Sequence, residues 1–138
     1  SSAASDVYKR QVLENMASSA TDLNGTEMRK VLGSFLFTGD DVHKPAGVLS
    51  GGEKTRLALA TLVLSSANVL LLDEPTNNLD PASRAQVLDA IGNFGGAIVL
   101  VTHDEGAVHA LDPDRVLVLP DGTEDMWSAD YAELISLA

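Results

Sequence analysis

The chain has 138 residues, 45% apolar and 21% charged, which suffices for one domain with a buried core. It contains no cysteine, so a disulfide framework and a thiolate metal site are excluded. Its 20 acidic and 9 basic residues give a formal net charge of −11, which argues against a surface that grips a nucleic-acid backbone.

No apolar run in the sequence is long enough to cross a bilayer. The best candidate, residues 57–72, is interrupted by Thr61 and by polar residues at 65–68, and two acids follow it. No charged segment followed by an apolar stretch marks the N-terminus as a secretory signal. These features predict a soluble, cytoplasmic protein.

The first eleven residues, SSAASDVYKRQ, differ from the rest of the chain. Part of this stretch is what one frame of a sequencing adaptor would encode, so we interpret residues 1–11 as a non-native leader. The alternative is the polar start of a helix. Gln11 belongs to this stretch and is given no functional role, and regular patterning begins at Val12.

The next segments predict helices and a loop. Apolar residues at helical spacing between 28 and 36 predict an amphipathic helix with Thr26 as its N-cap. Residues 38–47, rich in Gly, Asp and Pro, predict a loop. Ser50 and Glu53 then form the S-x-x-E pattern of a capping box, and the Leu- and Ala-rich run behind them predicts a largely buried helix.

Two short apolar runs, at 69–75 and 97–103, predict strands buried on both faces, as in a parallel sheet. Between them, Asp80 and Pro81 suit the N-cap and first position of a helix. A short helix, a strand pair joined by a turn at 120–122 and a last helix complete the chain. Strands that alternate with helices predict an α/β fold with a mainly parallel sheet.

Acidic and histidine side chains follow the two predicted strands. Asp73 and Glu74 end the first strand, so an α/β fold would present them at the carboxyl edge of its sheet, where ligands bind. In a nucleotide hydrolase Asp73 would help to hold Mg²⁺, and Glu74 would orient or deprotonate the attacking water. Two solvated acids at a strand end are the alternative. His103 ends the second strand and could bond a γ-phosphate, or be structural; His43 and His109 are interpreted as surface residues.

The segment 50–53, Ser-Gly-Gly-Glu, has the features of an anion site. A helix N-terminus presents unsatisfied N–H groups and the positive end of the macrodipole. Ser50 adds a hydroxyl donor, and Gly51 and Gly52 allow backbone to approach a ligand closely. An ordinary capping box is the alternative, and the double glycine favours the anion site.

Four motifs, in this order and spacing, resemble those of the ABC ATPase family. They are LSGGE as its signature, VLLLDEP as its Walker B strand, NNLD as its D-loop and VTHD as its switch histidine. The surrounding segments most resemble the ABC-F group, soluble proteins with two ABC domains in one chain. That group includes translation factors and antibiotic-resistance proteins that act on the ribosome. Asn78 departs from it, since the group usually has His there.

The resemblance implies a partial P-loop NTPase fold of the ABC type. No G-x-x-x-x-G-K-[ST] occurs in the chain, so we interpret residues 12–138 as the C-terminal part of one ABC domain. Residues 119–138, LPDGTEDMWSADYAELISLA, resemble the end of the second ABC domain of such a protein rather than the first. Within the range 12–138, residues 12–50 would be the end of the helical signature arm. Residues 51–138 would contain Walker B and run to the C-terminus. Lacking the P-loop, the fragment alone is expected to be inactive.

In this family two ABC domains sandwich two ATP molecules, so the resemblance implies ATP and Mg²⁺ as cofactors and a second ABC domain as a partner. Glu74 and His103 would be catalytic, and Asp73 would lie at the metal. The residues expected to bind the nucleotide are Ser50, Gly51, Gly52, Glu53 and Asp80, the first three at the γ-phosphate held by the partner domain.

The resemblance also implies partners outside the site. Ribosome contacts are expected through regions outside this chain, and no direct membrane insertion is expected. Two other functions stay open. One is the nucleotide-binding subunit of an ABC transporter, which shares all four motifs. The other is a non-catalytic, nucleotide-gated interaction module.

Overall fold

The computed structural model of the chain describes residues 10–19 and 24–137. Residues 1–9 of the predicted leader therefore lie outside the described residues. In these ranges the helices are α1 Val12–Ser19, α2 Gly25–Ser34, α3 Gly51–Leu64, α4 Pro81–Gly92, α5 Glu105–Leu111 and α6 Ala132–Leu137. The strands are β1 Val69–Asp73, β2 Ala97–Val101, β3 Arg115–Val118 and β4 Thr123–Met126. Short 3₁₀ helices cover Gly39–His43, Ala46–Val48 and Ala129–Tyr131. None of the helices described is both long and apolar enough to cross a membrane.

The central sheet is the parallel pair β1–β2, with α4 as the crossover between its strands. The pair is in register from Val69 opposite Ala97 to Asp73 opposite Val101. This arrangement confirms the prediction of an α/β fold with a parallel sheet. Because the strands are parallel, their carboxyl ends meet at one edge, and the acids at the end of β1 lie at the same edge as the residues that follow β2.

The two faces of β1 differ in burial. Leu70 and Leu72 are buried in the core, whereas Leu71 between them is 75% exposed. The prediction that both faces of this strand are buried is therefore wrong for the part of the chain that the structure describes. Helices cover one face only, and the apolar run alone does not reveal what lies on the other.

A second sheet, β3–β4, is an antiparallel hairpin that pairs Arg115 with Met126 and Val118 with Thr123. Its turn contains the cis peptide Leu119–Pro120, and Gly122 has a φ of 73°, a left-handed conformation that suits glycine. The strand pair and tight turn predicted from the sequence are confirmed.

The helical part, α1 to α3, packs on the central sheet through one continuous core. The N-cap of α2 is Asn24, whose side chain accepts from the N–H of Glu27 while the Glu27 carboxylate accepts from the N–H of Asn24. Thr26 lies inside the first turn, so its prediction as N-cap is wrong. Asn24 and Glu27 are three residues apart and can satisfy each other, as a capping box requires. The predicted apolar face is confirmed, with Met28 and Leu32 buried.

Arg56 on α3 contacts the segment that follows α2. Its guanidinium donates to the backbone oxygens of Phe35 at 3.2 Å and Leu36 at 3.4 Å, just beyond the end of α2. The same group lies 5.3 Å from the ring centroid of Phe37, within the range of a cation–π contact. These contacts join α3 to the segment that follows α2.

Candidate functional site

The residues predicted at the carboxyl edge of β1 and β2 come together there. The N–H of Glu74 donates to the carbonyl of Val101 at 2.7 Å and so prolongs the parallel ladder by one residue. Asp73 is exposed one position earlier, and His103 follows β2 by two residues. Glu74 and His103 therefore lie together at this edge, and Asp73 is exposed at the end of β1.

The Glu74 side chain is held in place from two directions. One carboxylate oxygen accepts from the backbone N–H of His103 at 2.8 Å, and the other accepts from the hydroxyl of Thr102 at 3.1 Å. The imidazole Nε2 of His103 lies 3.9 Å from the first oxygen. The φ of Glu74 is 45°, which a non-glycine residue rarely adopts and which is typical of functional sites. Glu74 is thus fixed beside His103.

A cleft of about 350 Å³ lies next to this carboxylate. Its lining is polar or charged throughout, and it consists of Glu74, Thr76, Asn77, Arg84, His103 and Asp104. Such a lining suits a water molecule and a charged ligand better than an apolar one. Chemically, the cleft offers a fixed carboxylate that can accept a proton and an imidazole that can donate a hydrogen bond.

Asp73 fits Mg²⁺ as one ligand among several. Over residues 10–19 and 24–137 no group of three or more acidic or histidine side chains is placed to hold a metal ion alone. Mg²⁺ usually keeps several waters and binds through one or two carboxylates plus substrate phosphates. A single exposed carboxylate at the strand end suits a Mg²⁺ ion that arrives with a nucleotide.

The N-terminus of α3 has the predicted capping box. The Ser50 hydroxyl accepts from the N–H of Glu53 at 3.2 Å, and the Glu53 carboxylate accepts from the N–H of Ser50 at 3.1 Å. The hydrogen bond from the Ser50 backbone N–H, with a smaller contribution from the Ser50 side chain, holds the pKa of the Glu53 carboxyl below its usual value. Ser50 and Gly51 are exposed. Glu53 is thus used to order the helix start.

Residues 77–80 pack against this helix start, and we call them the 77–80 segment. A Cβ added at Gly52 would lie 3.1 Å from the backbone oxygen of Asn78, whereas one added at Gly51 would meet no described atom within 4 Å. Asp80 ends the segment and caps α4, because its carboxylate accepts from the N–H of Ser83 at 3.2 Å. The structure therefore gives Asp80 a capping role, and its contact with a nucleotide stays a prediction.

The cap makes a testable contribution to acid stability. Hydrogen bonds from Ser83, from its side chain first and its backbone second, hold the pKa of Asp80 below its ordinary value of 3.8. The stabilisation is present above that value and is lost as the pH falls through the lower, folded-state pKa. We expect Asp80→Asn to unfold at lower urea than the wild type near neutral pH and to approach it in acid.

Urea midpoints of the purified protein between about pH 3 and pH 7 would measure this difference. The matched control is Asp89→Asn, an exposed residue of the same helix that does not cap it. A difference between Asp80→Asn and the wild type that stayed constant over this range would contradict the assignment.

Four residues of the cleft and its surroundings were not predicted from the sequence. Thr102 bonds Glu74, and the buried Thr76 donates to Asp104 at 3.2 Å. Arg84 lies 3.5 Å from the same Asp104 carboxylate. Asp104 belongs to the VTHD motif, but the sequence predicted no role for it. The adjacency of Thr102 and Asp104 to His103 is the one signal in the sequence that points to them.

A parallel sheet with helices packed on it and acids at its carboxyl edge gives the chain the α/β fold of the P-loop NTPase class. The chain belongs to the ABC transporter family, whose model matches residues 3–77, more than half of the chain. This match confirms the resemblance to ABC ATPases. The matched range includes residues 3–11, whose interpretation as a leader stays a prediction.

Curated relatives carry names that agree with this family. "Putative ATP-binding protein YdiF" of Bacillus subtilis is 43% identical over 122 residues, which cover 88% of this chain and 19% of the relative. "ABC transporter F family member 5" of Arabidopsis thaliana is 33% identical over 122 residues, covering 88% of this chain and 18% of that protein. The chain thus spans about a fifth of these relatives' length.

Solved structures show the same fold. A structure titled "Putative ABC transporter (ATP-binding protein)", from Pyrococcus furiosus, matches with a TM-score of 0.62 and 25% identity, over 69% of this chain and 50% of that one. An ATP-bound bacterial Atm1-family ABC exporter matches with a TM-score of 0.72 over 94% of this chain and 24% of that one. At 19% identity the exporter supports the fold alone.

Proposed function

We propose that this chain is the C-terminal part of the second ABC domain of an ABC-F protein. That protein would bind and hydrolyse ATP with Mg²⁺ between two ABC domains, in the cytoplasm, and act on the ribosome in translation. The observation that carries the hydrolytic part is the Glu74 carboxylate, held by Thr102 and His103 beside a polar cleft. A fixed carboxylate at the sheet edge is what activation of water requires.

The proposed division of labour follows the resemblance to ABC ATPases, and the positions of Glu74 and His103 beside the cleft are compatible with it. Glu74 would accept the proton of the attacking water, His103 would bond the γ-phosphate, and the exposed carboxylate of Asp73 would help to hold Mg²⁺. The exposed start of α3, with Ser50 and Gly51, contacts the γ-phosphate of the nucleotide on the partner domain. Bound ATP supplies the phosphoryl group and Mg²⁺ supplies charge neutralisation; the chain's own groups position water and phosphate.

We propose that residues 12–138 are part of a larger domain, in which 12–50 belong to the helical arm and 51–138 contain Walker B and the segments after it. Two observations support this proposal. The sequence contains no G-x-x-x-x-G-K-[ST], so the backbone cradle for the β-phosphate must come from elsewhere. Among the described residues, Leu71 and neighbouring apolar side chains of the central sheet remain exposed. The isolated fragment would therefore neither bind ATP tightly nor hydrolyse it.

The assignment to the ABC-F group rests on similarity to an F family member and on the sequence around the four motifs. With a formal net charge of −11, this segment is ill suited to grip ribosomal RNA itself. Ribosome contacts would therefore lie in other parts of the protein.

Ribosome binding by the complete protein encoded by the gene tests this proposal. We expect ATPase activity that depends on Glu74, and co-sedimentation of Glu74→Gln with ribosomes in ATP but not in ADP. Recovery with a membrane-spanning partner instead would identify a transporter subunit. Nucleotide binding without any Glu74-dependent hydrolysis would identify a non-catalytic module.

A further inference from the structure

Asp104 contacts residues of four segments around the cleft. One oxygen caps α5 by accepting from the N–H of Gly106 at 2.9 Å. The other accepts from the hydroxyl of Thr76 at 3.2 Å and lies 3.5 Å from the Arg84 guanidinium. The backbone N–H of Asp104 donates to the Thr102 hydroxyl at 2.9 Å. Asp104 therefore connects α4, α5 and the residues that follow both strands.

Thr102 links Asp104 to Glu74, the proposed catalytic carboxylate. Its hydroxyl oxygen accepts from Asp104 and its proton is donated to Glu74 at 3.1 Å, so one group serves both bonds. A displacement of Asp104 would therefore reorient the Thr102 hydroxyl. The Glu74 carboxylate would then lose one of the two contacts that fix it.

Arg84 links Asp104 to the 77–80 segment. Its guanidinium pairs with Asp104 and also donates to the backbone oxygen of Leu79 at 3.4 Å. Next to Leu79, the backbone oxygen of Asn78 borders Gly52 at the start of α3. A continuous path of contacts thus runs from the start of α3 to Glu74.

The Arg84–Asp104 ion pair itself adds little to the stability of the fold. The Arg84 and Asp104 side chains are 37% and 21% exposed, and an ion pair of that exposure contributes little to folding. The Nε atom of Arg84 is buried with no hydrogen-bond partner among the residues described, which is unfavourable.

We propose that Arg84 and Asp104 are positioning residues that transmit the position of the 77–80 segment to Glu74 and His103. This inference rests on the proposed function and adds a specific role for two residues outside the catalytic pair. When the start of α3 and the 77–80 segment are held by a nucleotide on the partner domain, the pair would keep Glu74 in place for the attacking water. The rate of hydrolysis would then depend on the position of that segment.

The test uses the complete protein with four variants. They are Arg84→Met, which removes the donors, Arg84→Lys, Asp104→Asn, and the double variant Arg84→Met/Asp104→Asn. We expect each single loss of charge to lower kcat about tenfold with little change in KM, because positioning errors act on the chemical step. The double variant should be no worse than either single variant, since both break one path. Arg84→Lys should recover part of the rate.

A second readout does not depend on activity. The backbone N–H of His103 is protected by the Glu74 carboxylate, so hydrogen exchange at this amide should be faster in Arg84→Met than in the wild type. The matched control is Arg115→Met, which removes another paired arginine, on the hairpin. It should leave kcat and the exchange at His103 unchanged.

The possible results separate this inference from the proposed function. Unchanged kcat in the single variants, a double variant whose losses multiply, or unchanged exchange at His103 would each overturn the positioning role. If the wild type showed no ATPase activity, the proposed function would fail. The exchange measurement would still decide whether Arg84 orders His103 and Glu74. Should Arg84→Met not fold, Asp104→Asn and Arg84→Lys provide the same comparison.

Discussion

Replacement of Glu74 by glutamine is expected to lower the ATPase kcat of the complete protein by about 10²–10⁴-fold, the usual contribution of a general base. Nucleotide binding should persist, because the side chain is proposed to act on the water and not to hold ATP. The variant should therefore accumulate in the closed, ATP-bound state. Steady-state hydrolysis and equilibrium binding of a labelled nucleotide would measure the two effects separately.

Glutamine at position 74 can keep both hydrogen bonds that hold the glutamate side chain. The amide oxygen of glutamine can accept from the N–H of His103, as the carboxylate does at 2.8 Å. The amide nitrogen would face the Thr102 hydroxyl, whose oxygen has a second lone pair beyond the one that accepts from Asp104. Glutamine can therefore take the same position with its contacts satisfied. The lost rate then reports the lost basicity of the side chain.

Glu105→Gln is the matched control for this experiment. Glu105 begins α5 close to the site, is exposed, and pairs with His109 at 3.6 Å on its own helix. The same chemical change there should leave kcat within about twofold, as exposed ion pairs contribute little. Normal turnover by Glu74→Gln would remove Glu74 from the role of base. Loss of nucleotide binding together with activity would point to a structural role instead.

Features of the site that depend on neighbouring residues could be predicted from the sequence. The capping box of Ser50 and Glu53 and the Asp80 cap before Pro81 involve partners within three positions, and both form as expected. The edge of the sheet was also predictable, because parallel strands place their carboxyl ends together. Local chemistry and the fold class thus located Asp73, Glu74 and His103.

Features that depend on distant partners could not be predicted in this way. Thr76 meets Asp104 across 28 positions, and no local pattern encodes that contact. The positive φ of Glu74 has no sequence signal either, since glutamate has no preference for the left-handed region. The burial of β1 depends on what covers each of its two faces, which the strand's own residues do not reveal. The apolar run therefore predicted two buried faces, whereas only one face is buried among the described residues.

Replacement of Gly51 by alanine is expected to separate stability from activity. Within the described residues an added Cβ there meets no atom within 4 Å, and the position lies in the first turn of α3. Alanine should leave the free energy of unfolding unchanged or raise it by about 0.4–1 kcal/mol, because it restricts the unfolded chain. A phosphate that approaches this backbone from the partner domain would meet the new methyl group. We therefore expect kcat to fall by about 10²-fold, the size of a lost transition-state contact.

Gly33→Ala is the matched control, since its added Cβ also meets no described atom within 4 Å and it lies in α2, away from the cleft. It should show the same stability change with full activity. Gly52→Ala makes a useful third variant, because its Cβ would press on the Asn78 oxygen at 3.1 Å and perturb the chain itself. Thermal unfolding and ATPase rates of all three would be compared. Full activity in Gly51→Ala would mean that no ligand approaches this backbone closely, and the proposed contact with the partner's nucleotide would have to be abandoned.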